Sequence, residues 1–150
     1  MMSCAEFAKM LVRAAETAEV GLVEPTEVVM KAVAAEAKRV IGTYEYGWPQ
    51  LAEATQDDRV ARGFPANEPL LRTGDMRASI ATKAEAVAGG VEGLVYSDQK
   101  EALWAELGTM GPGHGQPPRS FLFKSLWLAT PVIAKTFGKF AERLLQFGTK

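Results

Sequence analysis

The spacing of apolar residues changes period near residue 79, and that change constrains the fold more than any other feature of the chain. Upstream, apolar side chains recur at helical intervals. Across 79–87 and 91–97, on either side of Gly89-Gly90, the pattern is that of a strand pair, with the alternation clearer in the second strand. From Thr130 the helical period returns. Helices, then strands, then a helix predict an α+β fold: N-terminal helices, a small antiparallel sheet and a C-terminal helix. A length of 150 residues fits a single domain spanning 1–150 and allows a moderate core.

Local signals place the elements. Ser3-Cys4-Ala5-Glu6 has the form of a capping box. Behind it Cys4, Phe7, Ala8, Leu11, Ala15 and Ala18 form a helical stripe that stops at Gly21. Pro25 suits the first turn of a second helix, with Val29, Val33, Ala37, Val40 and Ile41 on its apolar face and Gly42 as its stop. Residues 1–42 thus read as a helical N-terminal region. Thr43 to Trp48 is aromatic and turn-like. Pro49 is placed to open a weaker helix through about Arg62, ended by Gly63, and Pro65 and Pro69 make 64–71 irregular. Thr73 is positioned to cap a single turn over Asp75–Arg77.

In the second strand Val91, Gly93, Val95 and Ser97 share one face, opposite Glu92, Leu94 and Tyr96. A short helix follows from about Gln99 to Leu107. Gly108 to Pro118 is a loop with four glycines and three prolines. Phe121 to Leu128 is almost wholly apolar and fits a central strand or a buried helix equally well. In the last helix Ile133, Phe137, Phe140, Ala141, Leu144 and Leu145 form the expected buried face.

Composition narrows the function classes. No stretch approaches the roughly 18–20 apolar residues of a membrane span. Glu6 and Lys9 among small residues do not read as a signal peptide. The single cysteine, Cys4, cannot form an internal disulfide, which suits a reducing cytoplasm. Net charge is −1, yet residues 1–75 carry 12 acidic and 8 basic side chains, whereas 76–150 carry 6 acidic and 9 basic. Within 119–150 only Glu142 opposes Arg119, Lys124, Lys135, Lys139, Arg143 and Lys150. Such a tail can meet an acidic partner, while the chain as a whole is not a nucleic-acid binder by charge.

No catalytic, cofactor-binding or metal-ligating constellation is visible. His114 is the only histidine and sits between Gly113 and Gly115 without a cysteine or carboxylate in its loop. Gly108, Gly111, Gly113 and Gly115 invite a phosphate-loop reading, but Gly115 is followed by Gln116-Pro117 where a Lys and a Ser or Thr would be needed. Candidate partner-interface residues are Trp48, Thr109, Met110, His114, Gln116, Arg119, Lys135, Lys139 and Arg143. Tryptophans are more often core than interface anchors. Trp48 is the best interface candidate of the three, because it lies in an irregular stretch beside Tyr44 and Tyr46. Lys135, Lys139 and Arg143 fall at four-residue intervals opposite the apolar stripe, as a solvated face or a docking face would. Asp58 and Arg62 are placed for an i,i+4 ion pair.

Several short elements follow one another along the chain. They are Trp48-Pro49-Gln50-Leu51 with Thr55 and Arg59, then Pro69-Leu70-Leu71-Arg72-Thr73-Gly74-Asp75-Met76-Arg77-Ala78-Ser79-Ile80, then Tyr96, then Glu106-Leu107-Gly108-Thr109, and Pro117-Pro118-Arg119-Ser120-Phe121-Leu122. This ordered set resembles the tailed-phage virion-morphogenesis (tail-completion) family over residues 44–145, with Ser97 to Ala102 as an extra polar stretch. The resemblance implies a non-enzymatic ring component at the head–tail neck, built from copies of the chain and often six-fold. Its implied neighbours are a tail tube protein and a head connector or stopper protein. DNA would pass through the lumen without sequence-specific binding, and neither a cofactor nor a membrane would be involved. The virion, and the host cytoplasm during assembly, would be its location. A minor tail or baseplate component is the competing assembly role, and a small enzyme using His114 or a carboxylate is the reading from a different class.

Overall fold

The computed structural model describes residues 6, 9, 12, 15, 18, 21–111 and 115–147, with the backbone alone for 145–147. The fold is α+β, with helices and one two-stranded antiparallel sheet. The elements with defined bounds are α1 (Val23–Val40), α2 (Glu53–Ala61), α3 (Asp75–Ser79), β1 (Ala81–Val87), β2 (Gly90–Tyr96), α4 (Lys100–Leu107), α5 (Leu122–Leu128) and α6 (Thr130–Phe147). Upstream of α1, Glu6, Lys9, Val12, Ala15, Ala18 and Gly21 are helical. The Ser3 capping box and most of the first apolar stripe lie outside the described residues, and Ala15 of that stripe is exposed.

The chain divides into two compact units. One comprises the described residues of Met1–Ala32 with Thr82–Leu94 and Ala129–Lys150; the other comprises Val33–Ala81 and Val95–Leu128. In the first unit, Pro25, Thr26 and Val29 are buried along the start of α1. The Thr26 hydroxyl donates to the Leu22 carbonyl at 2.7 Å. At Gly93 the hairpin packs tightly against this helix. A Cβ there would lie 2.7 Å from Thr26 Cγ2 and 3.0 Å from Met30. The alternation read from the sequence for β2 is present: Val91, Gly93 and Val95 are half-buried and Glu92, Leu94 and Tyr96 exposed. A larger side chain at 93 would require Thr26 and Met30 to shift.

In the second unit, Ala34, Ala37, Val40 and Ile41 follow one another at the spacing of a single helix face. They pack with Tyr46, Trp48, Met76, Ile80, Ala102, Ala105 and Phe121. Phe121 is completely buried, a burial that contributes about 1.5–3 kcal/mol. Gly42 ends α1 with φ +94° and donates its N–H to the Pro69 carbonyl at 2.8 Å, so the stop read from sequence also fixes the Pro69 segment.

Four boundaries differ from the sequence expectation. First, α2 begins at Glu53, not Pro49. The Leu51 N–H donates to the Tyr44 hydroxyl and its carbonyl accepts from the Gln56 side chain, so neither is available to a helix. Second, Thr73 stands one residue before the cap position of α3, although its hydroxyl accepts the Asp75 N–H at 3.4 Å. Its hydroxyl donates to the Asp75 carboxylate at 2.6 Å, and Gly74 at φ +92° stands at the cap position. Third, that helix runs on through Ser79, so β1 starts only at Ala81. Fourth, 121–128 resolves as helix, but not a buried one. Ser125 lies inside α5, while Phe123, Leu126 and Leu128 are exposed. In α6, Ile133, Phe137, Phe140 and Leu144 are half-buried and Ala141 is exposed.

Candidate assembly interface

The ordered elements all lie in the second unit, and Glu106 is the hub that ties the last two of them together. Its Oε2 accepts the backbone N–H groups of Phe121 at 2.9 Å and Leu122 at 3.0 Å. Its Oε1 accepts from the Phe123 N–H at 3.0 Å and the Ser120 hydroxyl at 2.5 Å. A helix start leaves such N–H groups without partners, and a carboxylate placed there also opposes the positive end of the helix dipole. The last turn of α4 thereby fixes the first turn of α5.

The chain between them is held at both ends. Thr109 and Gln116 form an antiparallel bridge, with Thr109 N–H to Gln116 O at 3.0 Å and Gln116 N–H to Thr109 O at 3.1 Å. The Thr109 hydroxyl also accepts from the Gln116 N–H. Gly108 makes this closure possible. It has φ +75°, and a Cβ would meet Gln116 O at 2.8 Å and Pro118 N at 3.0 Å. Thr109 and Gln116 therefore act as the clasp of the loop. Met110, fully exposed, stands just beyond it. His114 lies outside the described residues.

Two of the candidate partner-interface residues, Arg119 and Trp48, lie in the subunit's interior. Arg119 is 4% exposed and Trp48 is 9% exposed. The Arg119 N–H donates to the Ala105 carbonyl at 2.6 Å, and its guanidinium donates to the Pro49 carbonyl at 3.1 Å. Burial pushes that guanidinium below its ordinary pKa, and its Nε has no hydrogen-bond partner among the described residues. It is a tether between the loop exit and the Trp48-Pro49 segment. Trp48 packs edge-on against Tyr46 with ring centroids 5.5 Å apart. An irregular backbone suggested an exposed ring, but the turn folds the indole into the core.

The other motif residues also bind backbone. Arg59 donates to the carbonyls of Glu68 at 2.7 Å and Leu71 at 3.0 Å, closing the proline segment. Arg77 donates to the Ile41 carbonyl. Tyr46 donates to Glu36 at 3.1 Å and shares a 2.9 Å hydrogen bond with Ser125. Lys124 donates to the Tyr46 carbonyl at 2.6 Å. All of these are framework contacts. The expected Asp58–Arg62 pair is present at 2.8 Å.

What this framework carries outward is apolar. On α4, Leu103 and Leu107 are exposed, Leu107 by 71%; on α5, Phe123 is exposed by 66%, along with Leu126. Trp104 and Trp127, unlike Trp48, are also exposed. Exposed apolar residues gathered on adjoining elements mark contact surfaces. The sequence held a signal for this: apolar residues at 102, 103, 104, 105 and 107 surround α4, more than one face can bury. In the other unit, Lys135, Lys139 and Arg143 are exposed, and they line a groove of about 430 Å³ with Gly21, Glu24, Pro25, Val28, Thr136, Phe140 and Leu144.

Among the described residues, no group of three or more His, Cys, Asp and Glu side chains gathers, and no helix is long and apolar enough to cross a membrane. No family model, no curated protein and no solved structure matches the chain.

Proposed function

We propose that the chain is a structural protein of a tailed phage or phage-like particle, forming a ring at the head–tail neck that terminates the tail tube and joins tail to head. The observation that carries this reading is the Glu106 hub. The residues of the ordered elements spend their polar groups on backbone and leave apolar side chains of α4 and α5 facing outward. A framework of that kind supports association, not turnover. A subunit this small cannot encircle a tail tube, so several copies must close a ring, and a closed ring requires a heterologous interface. DNA would pass through the lumen without sequence-specific contact, consistent with a net charge of −1.

Deletion of the gene tests the reading. The expected result is DNA-filled heads and separate tails that fail to join, with joining restored by adding the protein. Normally joined particles in the deletion strain would overturn the neck assignment. Labelled copies found at the distal end of the tail would replace it with a minor tail or baseplate role.

A further inference from the structure

We propose that α2 of one copy docks in the groove between α1 and α6 of the next, so that the chain associates with itself head to tail. The groove has a basic rim and an apolar floor. Lys135, Lys139 and Arg143 stand at four-residue intervals beside Val28, Phe140 and Leu144, with Glu24 as the one acidic residue among the described lining residues. None of the three cations has an ion pair among the described residues. The occupant that fits is a short acidic helix with an apolar tip.

The chain carries one. α2 has no buried residue. Glu53, Asp57 and Val60 follow at i, i+4 and i+7 and so share a face. Val60 is 62% exposed. Asp58 is taken by Arg62, whereas Glu53 and Asp57 have no ion pair among the described residues. With a rise of about 1.5 Å per residue, groups four apart on either helix are separated by about 6 Å. Two acids on α2 can therefore face two successive cations on α6, while Val60 meets the apolar floor. The halves of the chain carry the matching excess: acidic over 1–75 and basic over 76–150. Because the two surfaces differ, the contact is heterologous, the kind that closes rings. The inference takes the occupant to be a second copy from the ring reading; the surfaces themselves stand apart from it.

The test is sedimentation of the full chain and two charge-reversed variants, K135E/K139E and E53K/D57K. All four positions are exposed, so circular dichroism should match the parent. The parent is expected to self-associate, more weakly by about tenfold or more between about 50 and 500 mM NaCl. Each variant alone should be monomeric. An equimolar mixture should associate again, because each variant's α2 then meets a groove of opposite sign. The proposal is overturned by a parent that stays monomeric at about 1 mM, by association indifferent to salt, by variants that associate like the parent, or by a mixture that remains monomeric. A monomeric parent whose groove binds duplex DNA instead would also overturn it. The deletion phenotype reads the neck assignment separately. Salt-sensitive, swap-rescued association alongside normally joined deletion particles would keep this contact and discard that assignment.

Discussion

The Glu106 carboxylate accepts the backbone N–H of Phe121 at 2.9 Å, so a residue near the end of α4 supplies the start of α5. The same carboxylate serves Leu122, Phe123 and the Ser120 hydroxyl. One anion thus positions the 117–122 segment and orients the helix that exposes Phe123 and Leu126.

Replacing Glu106 with Ala should lower stability by about 2 kcal/mol, since it removes a helix cap and charge-assisted hydrogen bonds together. Glu106→Gln should cost less, because one amide oxygen remains to accept. Urea unfolding of both variants checks the order. Equal losses would mean that the one remaining acceptor contributes nothing and that the charge and second oxygen carry the whole effect.

The loop clasp depends on Gly108. Gly108→Ala combines a positive φ with a backbone collision against Gln116 and Pro118, and should destabilise by about 2–3 kcal/mol while opening the Thr109–Gln116 bridge. Gly47→Ala provides the control. It too has a positive φ, +73°, but nothing lies within 4 Å of the new Cβ. Its cost should be the conformational part alone, about 1 kcal/mol. Amide exchange at Thr109 and Gln116 should accelerate in the first variant and not in the second.

These positions indicate what was legible in the sequence. Gly42, Gly63 and Gly89-Gly90 marked ends and a turn through local backbone preference, and the structure keeps them. The 121–128 run was ambiguous because its conformation is decided by Glu106, fifteen residues upstream of Phe121. No local pattern encodes that. Trp48 was misplaced for the same reason: burial of its ring depends on how the 43–48 turn folds onto α1. The burial of Arg119 was not legible, since its carbonyl partner on Pro49 is distant in sequence.

Stability should depend on pH through Tyr46 and Glu36. Burial, aided by the Glu36 carboxylate and opposed by the Ser125 hydrogen bond, raises the Tyr46 phenol above its ordinary 10.0. A raised pKa gives stability that is complete below about pH 10 and is lost as pH climbs through the folded value. Hydrogen bonding to Arg39, then to Tyr46, holds Glu36 below its ordinary 4.5 despite partial desolvation. That contribution is present above about pH 4.5 and is lost as pH falls through the lower folded value. Tyr46→Phe should therefore flatten the alkaline limb of a denaturation-against-pH curve, at a neutral-pH cost of about 1–2 kcal/mol from Ser125 losing its partner. Glu36→Gln should flatten the acid limb. An alkaline limb unchanged by Tyr46→Phe would show that another group governs it.

The exposed apolar residues of α4 and α5 yield the last prediction. A surface leucine or phenylalanine contributes little to the fold of the chain that displays it, so Leu107→Ser with Phe123→Ser should change unfolding stability by no more than about 0.5 kcal/mol each. The same changes remove two large apolar side chains that are mostly exposed. Binding of a hydrophobic dye should fall, and solubility should rise. If this surface is covered by a neighbour in the particle, the variant should fold normally yet enter particles poorly, because central apolar contacts dominate an interface's energy. The two readouts must therefore separate: stability intact, incorporation reduced. A variant that loses stability and incorporation together would mean that Leu107 and Phe123 belong to the folding core of the subunit. One that retains both would mean that α4 and α5 face solvent in the assembled particle, leaving the charged α2 and α6 surfaces to hold copies together.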